Sequence, residues 1–147
     1  MSDILFTPSS LPIANSLHTL LRKTLTEHIM HDEALATSQS IVMNFRDSSY
    51  NEEDGGFHPV EIALCQLGDG RWNIEYITDF AYVGNYYPEL ERSLDFDFRA
   101  QSFYAPYCGW GPIKGSRAAI QLYNLWESNF LVYTNMNAYD EISVKPQ

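Results

Sequence analysis

Apolar residues recur every three or four positions near both ends of this chain and every two positions in between. Near the start, Ile13, Leu17, Leu20, Leu21, Leu25 and Ile29 fall on one face of a helix of about five turns. Thr19, Arg22, Lys23, Thr26 and Glu27 take its outer face. Ser9 and Ser10 ahead of Pro12 read as a serine cap followed by an early-turn proline. From Ser116 the helical period returns: Ala119, Leu122, Trp126, Phe130 and Tyr133 mark a face that Leu125 and Leu131 widen, running to about Asn137. The middle alternates and predicts strands over 38–46, Val60–Leu67, Arg71–Val83 and Ser93–Phe98, with a further short one in Gln101–Tyr107. Residues 47–57 and Cys108–Gly115 read as loops. Helix, antiparallel meander, helix is an α+β pattern: a twisted antiparallel sheet of about four to six strands flanked by an N-terminal and a C-terminal helix. Residues 1–147 are expected to form a single domain, with loose termini over about 1–9 and 140–147.

Composition narrows the class. The chain is 45% hydrophobic and 19% charged, enough apolar material for a core and too little charge for global disorder. No apolar run approaches the roughly 18 residues of a membrane span, and Met1-Ser2-Asp3 lacks a basic leader segment, so a cytoplasmic location is expected. Cys65 and Cys108 then read as reduced thiols, and with four scattered histidines they make no structural zinc pattern. No cofactor is expected. Gly109–Gly115 lacks the spacing of a phosphate loop. The net charge of −10 argues against nucleic acid as a partner. All of that excess lies between Asp47 and Asp97, where twelve acidic residues meet two basic ones, Arg71 and Arg92.

The hairpin register decides where those acids point. A three-residue loop Gly68-Asp69-Gly70, with Gly70 left-handed, pairs Leu64 with Ile74, Ile62 with Tyr76 and Val60 with Thr78. That arrangement puts Val60, Ile62, Leu64, Trp72, Ile74, Tyr76 and Phe80 on the core face. Glu61, Asn73, Glu75 and Asp79 take the other, with Ala63, Cys65 and Ile77 between them. Leu94, Phe96 and Phe98 face the core, and Asp95 and Asp97 face away.

Glu61, Glu75, Asp79, Asp95 and Asp97 thus form a carboxylate-rich face with few basic residues to neutralise it. Such a face is either plainly solvated, or a docking surface for a basic protein or peptide, or an oxygen-donor site for a divalent cation. The rival functional reading is a metal-assisted hydrolase using His58, Asp79, Asp95 and Asp97. His58 can pair with a carboxylate such as Asp79 as an acid/base group, but no nucleophile or third orienting residue stands beside it in sequence, and His58-Pro59 reads rather as the start of a strand with the imidazole packed against an aromatic. His28 and His31 are weak ligand candidates at a helix end. Eleven of the 21 aromatic residues fall between Tyr76 and Trp110. Tyr82, Tyr86, Tyr87, Tyr104, Tyr107 and Trp110 sit at strand ends and in loops, as interface aromatics do. Tyr107 and Trp110 are the expected anchors of a homo-oligomer, because stacking two acidic faces is repulsive.

The runs Gly55-Gly56-Phe57-His58-Pro59-Val60-Glu61, Tyr76-Ile77-Thr78-Asp79-Phe80 and Leu94-Asp95-Phe96-Asp97-Phe98 resemble a family of small uncharacterised bacterial proteins. The resemblance covers about Ile41 to Gly115. It supplies no catalytic residue, since that family has no assigned activity. It implies a fold similar to the acidic mitochondrial matrix glycoproteins, which bind many basic partners. Those pair a twisted antiparallel sheet with N- and C-terminal helices and assemble as rings of three.

Overall fold

The computed structural model describes residues 4–83, 88–106 and 108–147. Helix α1 spans Asn15–Ile29 and buries Leu17, Leu21 and Leu25 completely. Its cap is not the expected serine. Ala14 precedes the helix with no side-chain cap, and its N–H instead donates to the Glu127 carboxylate at 3.0 Å. Glu127 is a buried acid that also accepts from the Tyr123 hydroxyl at 2.5 Å. A carboxylate near a helix N-terminus complements the helix dipole, so a residue from the far end of the chain replaces the local cap. A short α2, Glu33–Thr37, follows, capped by Asp32.

The strands are β1 Ser40–Arg46, β2 Val60–Gln66, β3 Trp72–Val83, β4 Glu89–Asp97, β5 Ser102–Ala105 and β6 Gly109–Pro112. Helix α3, Arg117–Asn135, is capped by Ser116, whose hydroxyl accepts from Ala119 N–H, and β7 is Glu141–Pro146. All strand pairs are antiparallel, in the order β6-β5-β4-β3-β2-β1-β7. The sheet therefore has seven strands, above the expected four to six. Part of the Cys108–Gly115 loop is strand β6, with Trp110 opposite Tyr104. The tail is not frayed: Ile142 and Val144 pair with Phe45 and Met43, and Val144 is buried. The lead-in is tied as well, since Trp72 N–H donates to Leu5 O at 2.7 Å and Leu11 is buried.

One face of the sheet is covered by α1 and α3. Ile41, Met43, Phe45, Ile62, Leu64, Ile74, Ile77 and Phe96 form its core surface with the α1 leucines, Tyr123 and Phe130. Edge-on ring contacts, Phe45–Phe130 and Phe96–Tyr123 at 5.2 Å each, join sheet to α3. Tyr123 is fully buried, while Leu125, expected to widen the core face, is exposed.

The Gly68-Asp69-Gly70 loop has three residues, with Gly70 at φ +90°, and Leu64 pairs with Ile74, both buried. The register then shifts. Ala63 faces Tyr76, so Glu75 has no partner in β2: it is the extra residue of a β-bulge. Beyond it Ile62 faces Ile77 and Val60 faces Asp79, not Tyr76 and Thr78. Tyr76 and Phe80 therefore lie on the helix-free face, while Ile77 joins the core and Asp79 turns to the helix side. The gain is an apolar row, Ile62–Ile77–Phe96, in place of one containing a phenol. A second irregularity leaves Ser93 unpaired between Asp79↔Leu94 and Phe80↔Arg92.

Candidate functional site

The two bulges distribute the acids over both faces. On the helix-free face, Glu61 from β2, Tyr76, Thr78 and Phe80 from β3, and Asp95 and Asp97 from β4 line an open cleft of about 390 Å³. Tyr76 donates its hydroxyl proton to Glu61 Oε2 at 2.5 Å. Thr78 Oγ1 and Arg92 Nε both donate to Asp95 Oδ2, at 2.8 and 2.9 Å. Among the described residues Asp95 Oδ1 has no hydrogen-bond partner, although Asp95 is only 4% exposed. Burial holds the Asp95 carboxyl above the ordinary carboxylate range, against the lowering effect of Thr78 and Arg92. The Arg92 guanidinium lies 5.1 Å from the centre of the Trp110 ring, and Arg99 lies 5.0 Å from that of Tyr76 while approaching Asp97 at 3.5 Å. The acids of this face are thus partly neutralised by two arginines, Arg92 and Arg99, within the few basic partners expected.

The helix side carries a second concavity, about 490 Å³, between α3, the Gly56–His58 segment and the β3–β4 pair. Phe57, Leu94, Leu122, Trp126, Phe130 and Tyr133 form most of its walls. His58 Nδ1 and Asp79 Oδ1 are 2.8 Å apart, a pairing that the sequence allowed, and Trp126 Nε1–H donates to Asp79 Oδ2 at 3.3 Å. The bond to Asp79 raises the His58 pKa above its ordinary value, with its charge adding and burial opposing.

The acidic 47–57 loop positions His58. Asp47 accepts from the N–H groups of Phe57 and Ser49, at 3.1 and 3.0 Å. The Tyr50 ring stacks on Tyr82 and meets His58 edge-on at 5.4 Å, and its hydroxyl accepts from Tyr82 N–H. Gly56 sits at φ +137°, where an added Cβ would come within 2.9 Å of Asp47 Oδ2. Only glycine fits that turn, a physical reason for the Gly-Gly-Phe-His run.

Of the expected site residues, Glu61, Asp95 and Asp97 come together, Glu75 stands at the bulge, and Asp79 lies across the sheet from them. The hydrolase constellation is split in the same way, with His58 and Asp79 on one side and Asp95 and Asp97 on the other. Among the described residues no three His, Cys, Asp or Glu side chains converge to hold a metal ion. Trp110, 48% exposed, walls the acidic cleft and is not separate from it. Tyr107, Tyr86 and Tyr87 lie outside the described residues. Arg92, Arg99 and Trp126 were not expected in a site. The arginines' nearness in sequence to Asp95 and Asp97 was an available signal; nothing marked Trp126 beyond its place in a core stripe.

Among the described residues no helix is long and apolar enough to cross a membrane. A family model described as a protein of unknown function, DUF2787, matches residues 15–145. A solved structure of a hypothetical protein from the VSP-II pathogenicity island of Vibrio cholerae is 57% identical, with a TM-score of 0.85, covering 95% of this chain and 98% of that one. A second, from pathogenicity island VPI-2 of Vibrio cholerae, is also 57% identical, with a TM-score of 0.86, covering 96% of this chain and 100% of that one. It is described as sharing structural homology with the human P32 protein. No curated protein matches the chain.

Proposed function

The chain belongs to the DUF2787 family of proteins of unknown function, and from that premise we propose that it is a non-enzymatic protein-interaction module whose helix-free face receives basic side chains of a partner protein or peptide. The observation that carries this reading is Asp95, a buried carboxylate with one oxygen lacking any donor. Such a group is costly to keep, and because Oδ1 is itself closed to solvent a guanidinium or ammonium in the cleft supplies the missing donor only as the side chains over it shift. Arg92 is about half exposed and can share or yield its place on the other oxygen. Glu61 and Asp97 flank the position, and the Tyr76 and Trp110 rings already carry the guanidiniums of Arg99 and Arg92, the arrangement that an incoming cation would share or displace. Glu75, half-buried at the bulge, adds to the potential that steers a basic partner in. Asp79, across the sheet, takes no part.

Self-association belongs to the same end of the molecule. The two edge strands, β6 and β7, carry Pro112 and Pro146, which blunt strand-to-strand extension. Side chains must therefore make the contact, with Trp110 on β6 and the neighbouring Tyr107 as its anchors.

The test is fluorescence anisotropy of a labelled oligo-arginine peptide at low and high salt. The wild type should bind, less tightly as salt rises. The Asp95→Asn plus Asp97→Asn double variant should bind at least about tenfold more weakly. Equal binding by wild type and double variant defeats the reading.

A further inference from the structure

We propose that the helix-side cavity is a second binding site, specific for a small hydrophobic ammonium ion whose charged head reaches Asp79 and whose apolar body lies against the aromatic walls. The proposal is independent of the docking surface: the site is on the other face and uses none of its residues.

Size comes first. At about 490 Å³ the cavity lies within the roughly 300–1,000 Å³ range of small-molecule sites. Its walls are mostly apolar, and two of its groups, His58 and Trp126, meet on one carboxylate, Asp79, with Ser93 and Asn129 also lining it. Asp79 accepts one bond on each oxygen, from His58 and from Trp126. A carboxylate has about four acceptor positions, so capacity remains for an N–H donor arriving from the cavity.

Charge then selects the class of ligand. Among the described residues no lysine or arginine lines the cavity, and the one basic group there, His58, is already engaged with Asp79. An anionic head would meet a carboxylate whose single counter-charge is taken. An ammonium head would meet that carboxylate and the rings of Phe57, Trp126, Phe130 and Tyr133, whose electron-rich faces favour cations. The segment leading into the cavity wall carries Asp47, Glu52, Glu53 and Asp54 with no lysine or arginine among residues 47–57. A chain of net charge −10 adds a field of the same sign. The exposed Leu125 stands at the cavity wall, where apolar ligand carbon would cover it.

The experiment titrates the full isotope-labelled chain with phenethylammonium chloride, following the indole N–H signal of Trp126 by NMR. 3-Phenylpropionate, with the same ring and an anionic head, is the control. A saturable shift of Trp126 with the ammonium and none with the carboxylate is expected. Asp79→Asn should weaken the ammonium at least about tenfold. Leu122→Trp, which fills the cavity and leaves Asp79 in place, should abolish binding, and it serves as well where Asp79→Asn folds poorly. The proposal is overturned by equal or tighter binding of the carboxylate, by unchanged binding in either variant, or by the absence of any saturable Trp126 shift.

Discussion

Asp79 and Asp95 face each other's strands across one β-ladder, yet they end in opposite environments. Asp79 lies on the helix side with one donor on each oxygen, from His58 and Trp126. Asp95 lies on the helix-free face with two donors crowded on one oxygen and none on the other. The first arrangement holds a charge pair at the wall of an open aromatic cavity. The second keeps a half-satisfied carboxylate under a shallow polar cleft. Two extra residues, Glu75 and Ser93, produce this division by resetting the alternation on β3 and β4. Where the acids of a strand point is thus decided by bulges more than by counting residues.

The comparison breaks most severely if the helix side loses its packing. Phe96 is fully buried and meets Tyr123 edge-on. Phe96→Ala should cost about 3–5 kcal/mol in denaturant unfolding, while the folded fraction keeps its affinity for a basic peptide, because Asp95 faces the other way. A stability loss below about 1 kcal/mol would place Phe96 outside the core.

Asp79→Asn should have the next largest effect. An amide cannot accept from both His58 and Trp126 in the present geometry, so a loss of about 1–2 kcal/mol is expected. It also removes a pH dependence. The His58 pKa is raised in the folded state, so its stabilisation is complete below the unfolded value of about 6.5 and is lost as pH rises through the folded value. Thermal unfolding across that window should lose more stability with rising pH in the wild type than in Asp79→Asn, the difference being the His58 contribution, since burial of His18 and of His58 itself acts with the opposite slope in both. An NMR titration should find His58 above its ordinary value only when Asp79 is present.

Asp95→Asn should move stability the other way, although the pH slope that it removes has the same sign. The folded state holds the Asp95 proton more tightly than the unfolded state does, so stability falls as pH rises from the ordinary carboxylate value through the raised one. The amide removes that fall. At neutral pH the variant should be as stable as the wild type or more stable, by up to about 1 kcal/mol, while binding basic peptide less well. A clear loss of stability would mean that the Arg92 ion pair outweighs the burial of the charge.

Trp110→Ala should change stability least, since the ring is half exposed on an edge strand. Its effect belongs to association: light scattering should show a weaker oligomer than the wild type. A wild type that stays monomeric at tens of micromolar removes this part of the proposal.

Much of the fold was legible because burial writes a period. The α1 leucine stripe, the alternation of Ile41, Met43 and Phe45, the Phe96 position and the three-residue Gly68–Gly70 loop were all readable as sequence. The bulges were not. Both registers of β3 bury apolar residues, Tyr76 and Phe80 in one and Ile77 in the other, and only packing against β4 and α3 separates them. The arginine partnership was hidden by the same cause. Arg92 and Asp95, three apart, would sit on opposite faces of a regular strand, and the unpaired Ser93 brings them together. Strand β7 has only Ile142 and Val144 to announce it, and the Glu127 cap joins groups 113 residues apart. Within the site, the His58–Asp79 pair was readable as a possibility, whereas the cavity beside it required Trp126 from α3.

The proposed division between the two faces has a pair of natural reporters: Trp110 beside the Asp95 cleft and Trp126 beside Asp79. The most direct measurement is the NMR spectrum of their indole N–H groups during titration with an oligo-arginine peptide. The Trp110 signal should move in a saturable, salt-sensitive way while Trp126 stays in place. Movement of Trp126 with Trp110 unchanged would contradict the account.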